Sequence, residues 1–164
     1  MKKLIALALA CALLFTLCSC GKKGGKKSNW PNEERAIACI EGAFTAESEE
    51  ELASYLDEAS QEYVDQIFGA YPEGDPTVEV EYQTRLKGYD IYYVSVSYDG
   101  ELYMKGASLL KRDGDKYRMC VVKAVTQPIL EDYLCSKCGG EGKITTGSGE
   151  EKECSKCEGY SFVF

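Results

Sequence analysis

The hydrophobic pattern along the chain changes its period near residue 71. Between residues 33 and 68 apolar positions recur every three or four residues. They are Ile37, Ile40 and Phe44 with Cys39 and Ala43 alongside, then Leu52, Tyr55 and Leu56, then Tyr63, Val64, Ile67 and Phe68. This is the period of helices that bury one stripe. Pro31, Glu33 and Glu34 suit a first helical turn, and Ser48-Glu49-Glu50-Glu51 has the capping-box spacing. Ser60 is predicted to cap a third short helix and Gly69 to stop it. Tyr71-Pro72-Glu73-Gly74-Asp75-Pro76 then breaks the helical pattern. Beyond it the period is two: Val78, Val80, Tyr82, Thr84 and Leu86 alternate with Glu79, Glu81, Gln83 and Arg85. Lys87-Gly88, Asp99-Gly100 and Asp113-Gly114-Asp115 separate three further strands, at 89–98, 101–111 and 116–123. Turns this short join antiparallel neighbours. The second strand, apolar on both faces, belongs in the middle, and the first, polar on one face, belongs at an edge. The expected fold is α+β, with two or three N-terminal helices packed on a four-stranded antiparallel meander.

Ahead of this body the chain reads differently. Met1-Lys2-Lys3 is cationic, and the apolar run 4–17 is shorter than the about 20 residues a spanning helix needs. Leu17-Cys18-Ser19-Cys20-Gly21 follows. It resembles the lipobox of bacterial lipoproteins, with Cys18 an unusual middle residue. The resemblance implies cleavage before Cys20 and a diacylglycerol on its thiol. Residues 20–29 are polar and Gly-rich, a flexible tether whose Lys22, Lys23, Lys26 and Lys27 either face an anionic lipid surface or simply keep a spacer solvated. Every acidic residue lies at or beyond Glu33, so a basic stalk precedes an acidic body.

Composition narrows the chemistry. Among 164 residues there are 9 Cys and 0 His, and 19 Lys+Arg stand against 27 Asp+Glu, for a formal charge of -8. Without His there is no Ser-His-Asp triad, no Cys-His pair and no imidazole for proton transfer near pH 7. The acidic balance argues against a nucleic-acid partner. Element order over residues 30–125 resembles the superfamily named for nuclear transport factor two and the cystatin-like folds. That resemblance implies a concave sheet under helices, with a pocket that holds a ligand, a catalytic dyad or nothing. Tyr89, Tyr93 and Tyr103 are candidate lining residues, although strand tyrosines commonly pack in a core or on its rim. Cys39 and Cys120 form a disulfide or remain two inert buried thiols; their apolar neighbours favour the second.

The most specific pattern is in the tail. Cys135-Ser136-Lys137-Cys138 and Cys154-Ser155-Lys156-Cys157 are separated by fifteen residues. A two-residue gap lets one tight turn aim two sulfurs at a point, and two such turns close a tetrahedral site with sulfurs about 2.3 Å from Zn²⁺. Between them, Lys143-Ile144-Thr145 and Glu150-Glu151-Lys152-Glu153 flank a Gly-rich tip and read as a hairpin. Residues 135–142 match CxxCxGxG, which resembles one repeat of the cysteine-rich zinc domain of DnaJ-type chaperones. The second copy has Ser161 in place of the last Gly. With two repeats and no J-domain motif, the resemblance implies one zinc and no co-chaperone activity. Two disulfides and a redox-active CxxC pair remain open to the same residues; spacing and glycine placement favour one structural zinc on Cys135, Cys138, Cys154 and Cys157.

The expected organisation is a lipoprotein signal peptide at 1–19, a tether at 20–29, an α+β domain at 30–130 and a zinc-ribbon-like four-cysteine hairpin at 131–164. The expected role is a non-enzymatic, lipid-anchored binding or accessory lipoprotein on the extracytoplasmic face of the cell membrane. Its partners would be the membrane and an unidentified protein or small ligand, with no nucleic acid. The alternative is an envelope thiol-redox or chaperone-like protein using the CxxC pairs.

Overall fold

The computed structural model describes residues 33–164; the segment resembling a lipobox, Cys20 and the basic tether lie outside the described residues. Helix α1 (Glu33–Phe44) lays Ala36, Cys39, Ile40, Ala43 and Phe44 against the body, the stripe its sequence predicts. α2 (Glu49–Tyr55) starts at Ser48, whose hydroxyl accepts from the Glu51 N–H, while the Glu51 carboxylate reaches back to the Glu47 N–H at 3.0 Å. One orphan donor of the first turn, and the N–H of the residue before the cap, are thereby satisfied.

The predicted third helix is divided. α3 (Glu58–Gln61) is capped by Asp57, whose Oδ1 accepts from the Ser60 N–H at 2.9 Å, and α4 (Val64–Phe68) follows after a turn. Ser60 is therefore not the cap. It is fully buried, and its hydroxyl accepts the Val121 N–H at 3.0 Å. That bond ties the residue after the last strand to the helical layer, on the same outer side of the strand where the Met119 carbonyl accepts the Asp57 N–H at 3.0 Å.

β1 (Pro76–Leu86), β2 (Tyr89–Tyr98), β3 (Glu101–Asp113) and β4 (Lys116–Cys120) pair antiparallel in the order β1-β2-β3-β4, with β1 at an edge as expected. The ladder is in register from Pro76↔Tyr98 to Leu86↔Tyr89, with an irregularity between Tyr82 and Thr84. β4 covers only the far half of β3, from Leu109↔Cys120 to Asp113↔Lys116. The chain then turns into α5 (Lys123–Leu130), a helix with Pro128 inside it, and a short 3-10 turn (Glu131–Tyr133). Finally β5 (Lys143–Thr145) and β6 (Glu151–Glu153) form a separate two-stranded hairpin.

Both faces of the large sheet are covered. On one face Tyr92, Val94, Val96, Leu110, Tyr117 and Met119 meet Ile40, Leu52 and Leu56 of the helical layer. Each fully buried Leu or Ile there contributes about 1.5–3 kcal/mol. On the other face Ile91, Leu109 and Cys120 meet Ile129 and Leu130 of α5, with Phe162 and Phe164 packed alongside. The residues that follow the cysteine hairpin are thus part of the domain's second core.

Candidate metal centre

Cys135 and Cys138 sit in one tight loop, Cys154 and Cys157 in the other, and β5 and β6 hold the two loops side by side. The Cys154 N–H donates to the Gly142 carbonyl at 2.8 Å, and the Cys135 N–H to the Ser161 carbonyl at 2.9 Å. Each loop is therefore fixed by the last residue of the other loop's repeat. The internal sequence repeat is also a repeat of backbone shape. Gly139, Gly140 and Gly142 have φ of 64°, 88° and 72°, and their counterparts Glu158, Gly159 and Ser161 have 49°, 82° and 71°. In the first copy all three positions are glycine, which adopts this left-handed region freely. Gly142 is also required for space, since a Cβ there would run into the Gly159 carbonyl.

The four sulfurs lie within 4.8 Å of one another and are all buried. Cys135 Sγ is 3.7 Å from Cys154 Sγ, and Cys138 Sγ is 3.7 Å from Cys157 Sγ. Four sulfurs at about 2.3 Å from a tetrahedral ion are about 3.8 Å apart along each edge. The two short separations match that edge and the cluster as a whole is slightly more open. The cysteines are positioned to coordinate a single metal ion. All are free thiols, as are Cys39 and Cys120.

The electrostatics favour thiolate at the leading cysteine of each loop. Burial pushes the Cys135 thiol up, but the backbone N–H groups of Cys138 and Lys137 aim at its sulfur and, with neighbouring thiols, bring it down to about 6. Cys154 is lowered in the same way: burial opposes, and the N–H groups of Lys156 and Cys157 prevail. Cys157 is raised, first by burial and then by the Cys138 sulfur. Four thiolates around one divalent cation leave a local charge of −2, which nearby cations offset. Here Lys137 Nζ donates to Ser155 Oγ and Lys156 Nζ to Ser136 Oγ, each at 2.7 Å. The bonds are reciprocal, so each C-S-K-C loop clasps the other. The sequence shows Ser136 and Ser155 repeated within the two loops, but nothing in the spacing alone points to their bonds with the lysines. Four protein ligands fill a tetrahedral ion and leave no position for a substrate.

Aromatic contacts attach this centre to the sheet. The Tyr93 ring stacks on Tyr160 with centroids 4.3 Å apart and planes 11° from parallel, and its hydroxyl donates to the Phe162 carbonyl at 2.7 Å. Lys105 lies over the Tyr160 ring at 4.8 Å and pairs with Glu153 at 3.3 Å. Burial, with the nearby Cys157 sulfur adding to it, raises the Tyr93 phenol to about 12. Tyr133 and Phe164 extend the aromatic contact, with centroids 5.2 Å apart. None of these joints is legible as a motif, because each pairs residues about thirty to seventy positions apart.

The three candidate pocket tyrosines do not share a pocket. Tyr89 packs with the second core and Tyr93 holds the tail. Tyr103 belongs to the helical side, where its ring meets those of Tyr71 and Tyr98 and its hydroxyl donates to the Ala70 carbonyl at 3.1 Å. Strand alternation separates them: Tyr89 and Tyr93 have the parity of Ile91, and Tyr103 lies beside a register irregularity in β2·β3 pairing. Cys39 and Cys120 are likewise parted by the sheet. Cys39 belongs to the first core and donates to the Tyr117 carbonyl at 3.3 Å, while Cys120 belongs to the second. Burial holds both thiols up at about 11; at Cys120 the Asp57 carboxylate adds to it. Cys20 lies outside the described residues.

One buried carboxylate has no counterpart in the sequence reading. Asp90 is 3% exposed, its Oδ1 has no hydrogen-bond partner, and Arg85 lies 3.9 Å away. Burial raises its carboxyl, with Arg85 opposing. It does not line the cleft of about 820 Å³ beside β3. Among the described residues no helix is long and apolar enough to cross a membrane. No family model, curated protein or solved structure matches the chain.

Proposed function

We propose that this chain is a lipid-anchored binding or accessory protein of a bacterial cell envelope whose C-terminal hairpin is folded by one structural Zn²⁺. The observation that carries the zinc is the set of four buried sulfurs with two edges at 3.7 Å, reached by two copies of one loop. An all-thiolate donor set suits Zn²⁺, and a filled coordination sphere suits a structural rather than a hydrolytic ion. The ion's binding free energy then becomes folding free energy for a segment with almost no core of its own. What supports the anchor is sequence alone: the short apolar run, Ser19 and Cys20 in lipobox order, and the basic tether before an acidic body. The absence of His and the filled sulfur site favour a binding role over catalysis.

Expression of the full chain in a bacterium supplied with labelled palmitate tests the anchor. The account expects label in the membrane fraction and its loss, with release of the protein from membranes, in Cys20→Ala. Label retained by Cys20→Ala, or none in the parent, contradicts it. The thiol-redox reading draws on the same low-lying Cys135 thiol. It requires that thiol to react in the metal-loaded protein, whereas a zinc-bound thiolate is shielded.

A further inference from the structure

A cleft of about 820 Å³ lies beyond the end of β4, beside the part of β3 that β4 leaves unpaired. β3 runs from Glu101 to Asp113, but β4 pairs only with Leu109 and beyond. Along 101–108 the edge of β3 turned away from β2 has no backbone hydrogen bond to any other described segment. A bare strand edge of this kind is a template for another strand.

The cleft follows that edge. Its floor is Met104, Ala107 and Ser108, one wall comes from Ile67 of α4, and the other from Leu130 of α5 and Phe162. The slot thus joins the two cores and is apolar on both sides. From Tyr103 to Ser108 it runs about 17 Å, at roughly 3.3 Å per residue, the length of a five- or six-residue strand.

Its inner end is polar and positive. α5 begins there with no side-chain cap at Val122, and the N–H groups of Lys123 and Ala124 have no described partner. Both residues line the cleft, and Lys123 is the one charged residue among those lining it. Ser108, only 8% exposed, also lines it, and its hydroxyl has no hydrogen-bond partner among the described residues. In a chain of net charge -8 this is a small cationic spot at the end of an apolar trough.

We infer that the slot receives the C-terminal strand of another polypeptide, which adds to the free edge of β3 and places its terminal carboxylate on the α5 N-terminus, Lys123 and Ser108. Three demands select this ligand. The β3 edge requires alternating backbone donors and acceptors, the walls require apolar side chains on both faces, and the inner end requires an anion. A fatty acid meets the last two and not the first. Because α5 starts beside the Leu109↔Cys120 pair, a strand ending there runs parallel to β3. The inference deepens the binding role proposed above by naming the class of ligand.

The test uses the zinc-loaded, isotope-labelled full chain and a degenerate hexapeptide pool built from valine, threonine, phenylalanine and serine, N-acetylated with a free carboxylate. Backbone amide resonances report the site. The expected result is shifts confined to 102–108 and to Lys123 and Ala124, with binding at least tenfold weaker for the amidated pool and for Lys123→Glu. Lys123 is exposed, so unfolding of that variant should match the parent. No binding, equal binding of the acid and amide pools, or displacement of the peptide by dodecanoate with no shifts along 102–108 each overturns the inference. Zinc content and palmitate labelling are read separately, so failure here is distinct from failure of the anchored, zinc-folded account.

Discussion

The joint between Tyr93 and Tyr160 decides whether the cysteine hairpin is integral to the domain or merely attached to it. Tyr160→Leu keeps an apolar side chain but removes a near-parallel stack at 4.3 Å and the Lys105 contact at 4.8 Å. An aromatic pair is worth about 0.5–1.5 kcal/mol beyond its area, and an exposed cation–π contact about 0.5–1 kcal/mol. The single variant should therefore lose about 1–2.5 kcal/mol of stability. Tyr93→Leu additionally loses the hydroxyl bond to Phe162 at 2.7 Å, typically about 0.5–1.5 kcal/mol. The double variant removes the shared stack once, so the coupling in the cycle should be about 0.5–1.5 kcal/mol. Urea unfolding of the full chain at fixed zinc excess measures all four corners, and repetition after chelation should abolish the coupling. A coupling within about 0.3 kcal/mol of zero in the zinc-loaded protein would show that the two rings do not share an interface, and the tail would not be docked as described.

Three further outcomes follow from single features. Glu158 and Ser161 hold φ of 49° and 71° where the first repeat has glycine, and an L-residue in that region costs roughly 1–2 kcal/mol. Glu158→Gly and Ser161→Gly should each raise stability by about 0.5–1 kcal/mol in urea unfolding, and a loss at both would refute the repeat symmetry. Asp90 is buried with its carboxyl raised, so the native state holds this proton more tightly than the unfolded chain. Its contribution to stability is present below its unfolded value, near 3.8, and is lost as pH rises through the raised native value. Asp90→Asn should flatten that fall in a Tm-against-pH series, and an unchanged slope counts against it. Finally, Cys39 and Cys120, raised to about 11, should resist iodoacetamide at pH 7.5 for as long as the fold persists. Chelation should expose Cys135, Cys138, Cys154 and Cys157 to the reagent, whereas rapid labelling of any of the four with metal bound would favour the redox reading.

The large elements were legible because each carries its own periodicity. The stripe of α1, the alternation of β1 and the two-residue turns at Asp99-Gly100 and Gly114 all register locally, and the four sulfurs met because the C-S-K-C spacing fixes geometry within each loop. The errors share one physical origin, a contact between distant residues that overrides a local signal. Ser60 looks like a cap by position, yet Asp57 caps that helix and the Val121 N–H takes the Ser60 hydroxyl instead. α5 carries Pro128, which argues against a helix, and is held by burying Ile129 and Leu130 on the second core. Tyr89, Tyr93 and Tyr103 look alike in sequence, and only strand parity and register divide them between two faces. The Cys39–Cys120 alternative fails for the same reason, since the sheet stands between them.

The account rests most directly on what the four tail sulfurs hold. Native mass spectrometry of the full chain, purified without added metal or chelator, reads this in one spectrum. The predicted result is one zinc per chain, all tail thiols reduced once it is removed, and complete loss of the metal in Cys135→Ser with Cys154→Ser. A metal-free chain lighter by four hydrogens, with Cys135, Cys138, Cys154 and Cys157 joined in two disulfides, would contradict it.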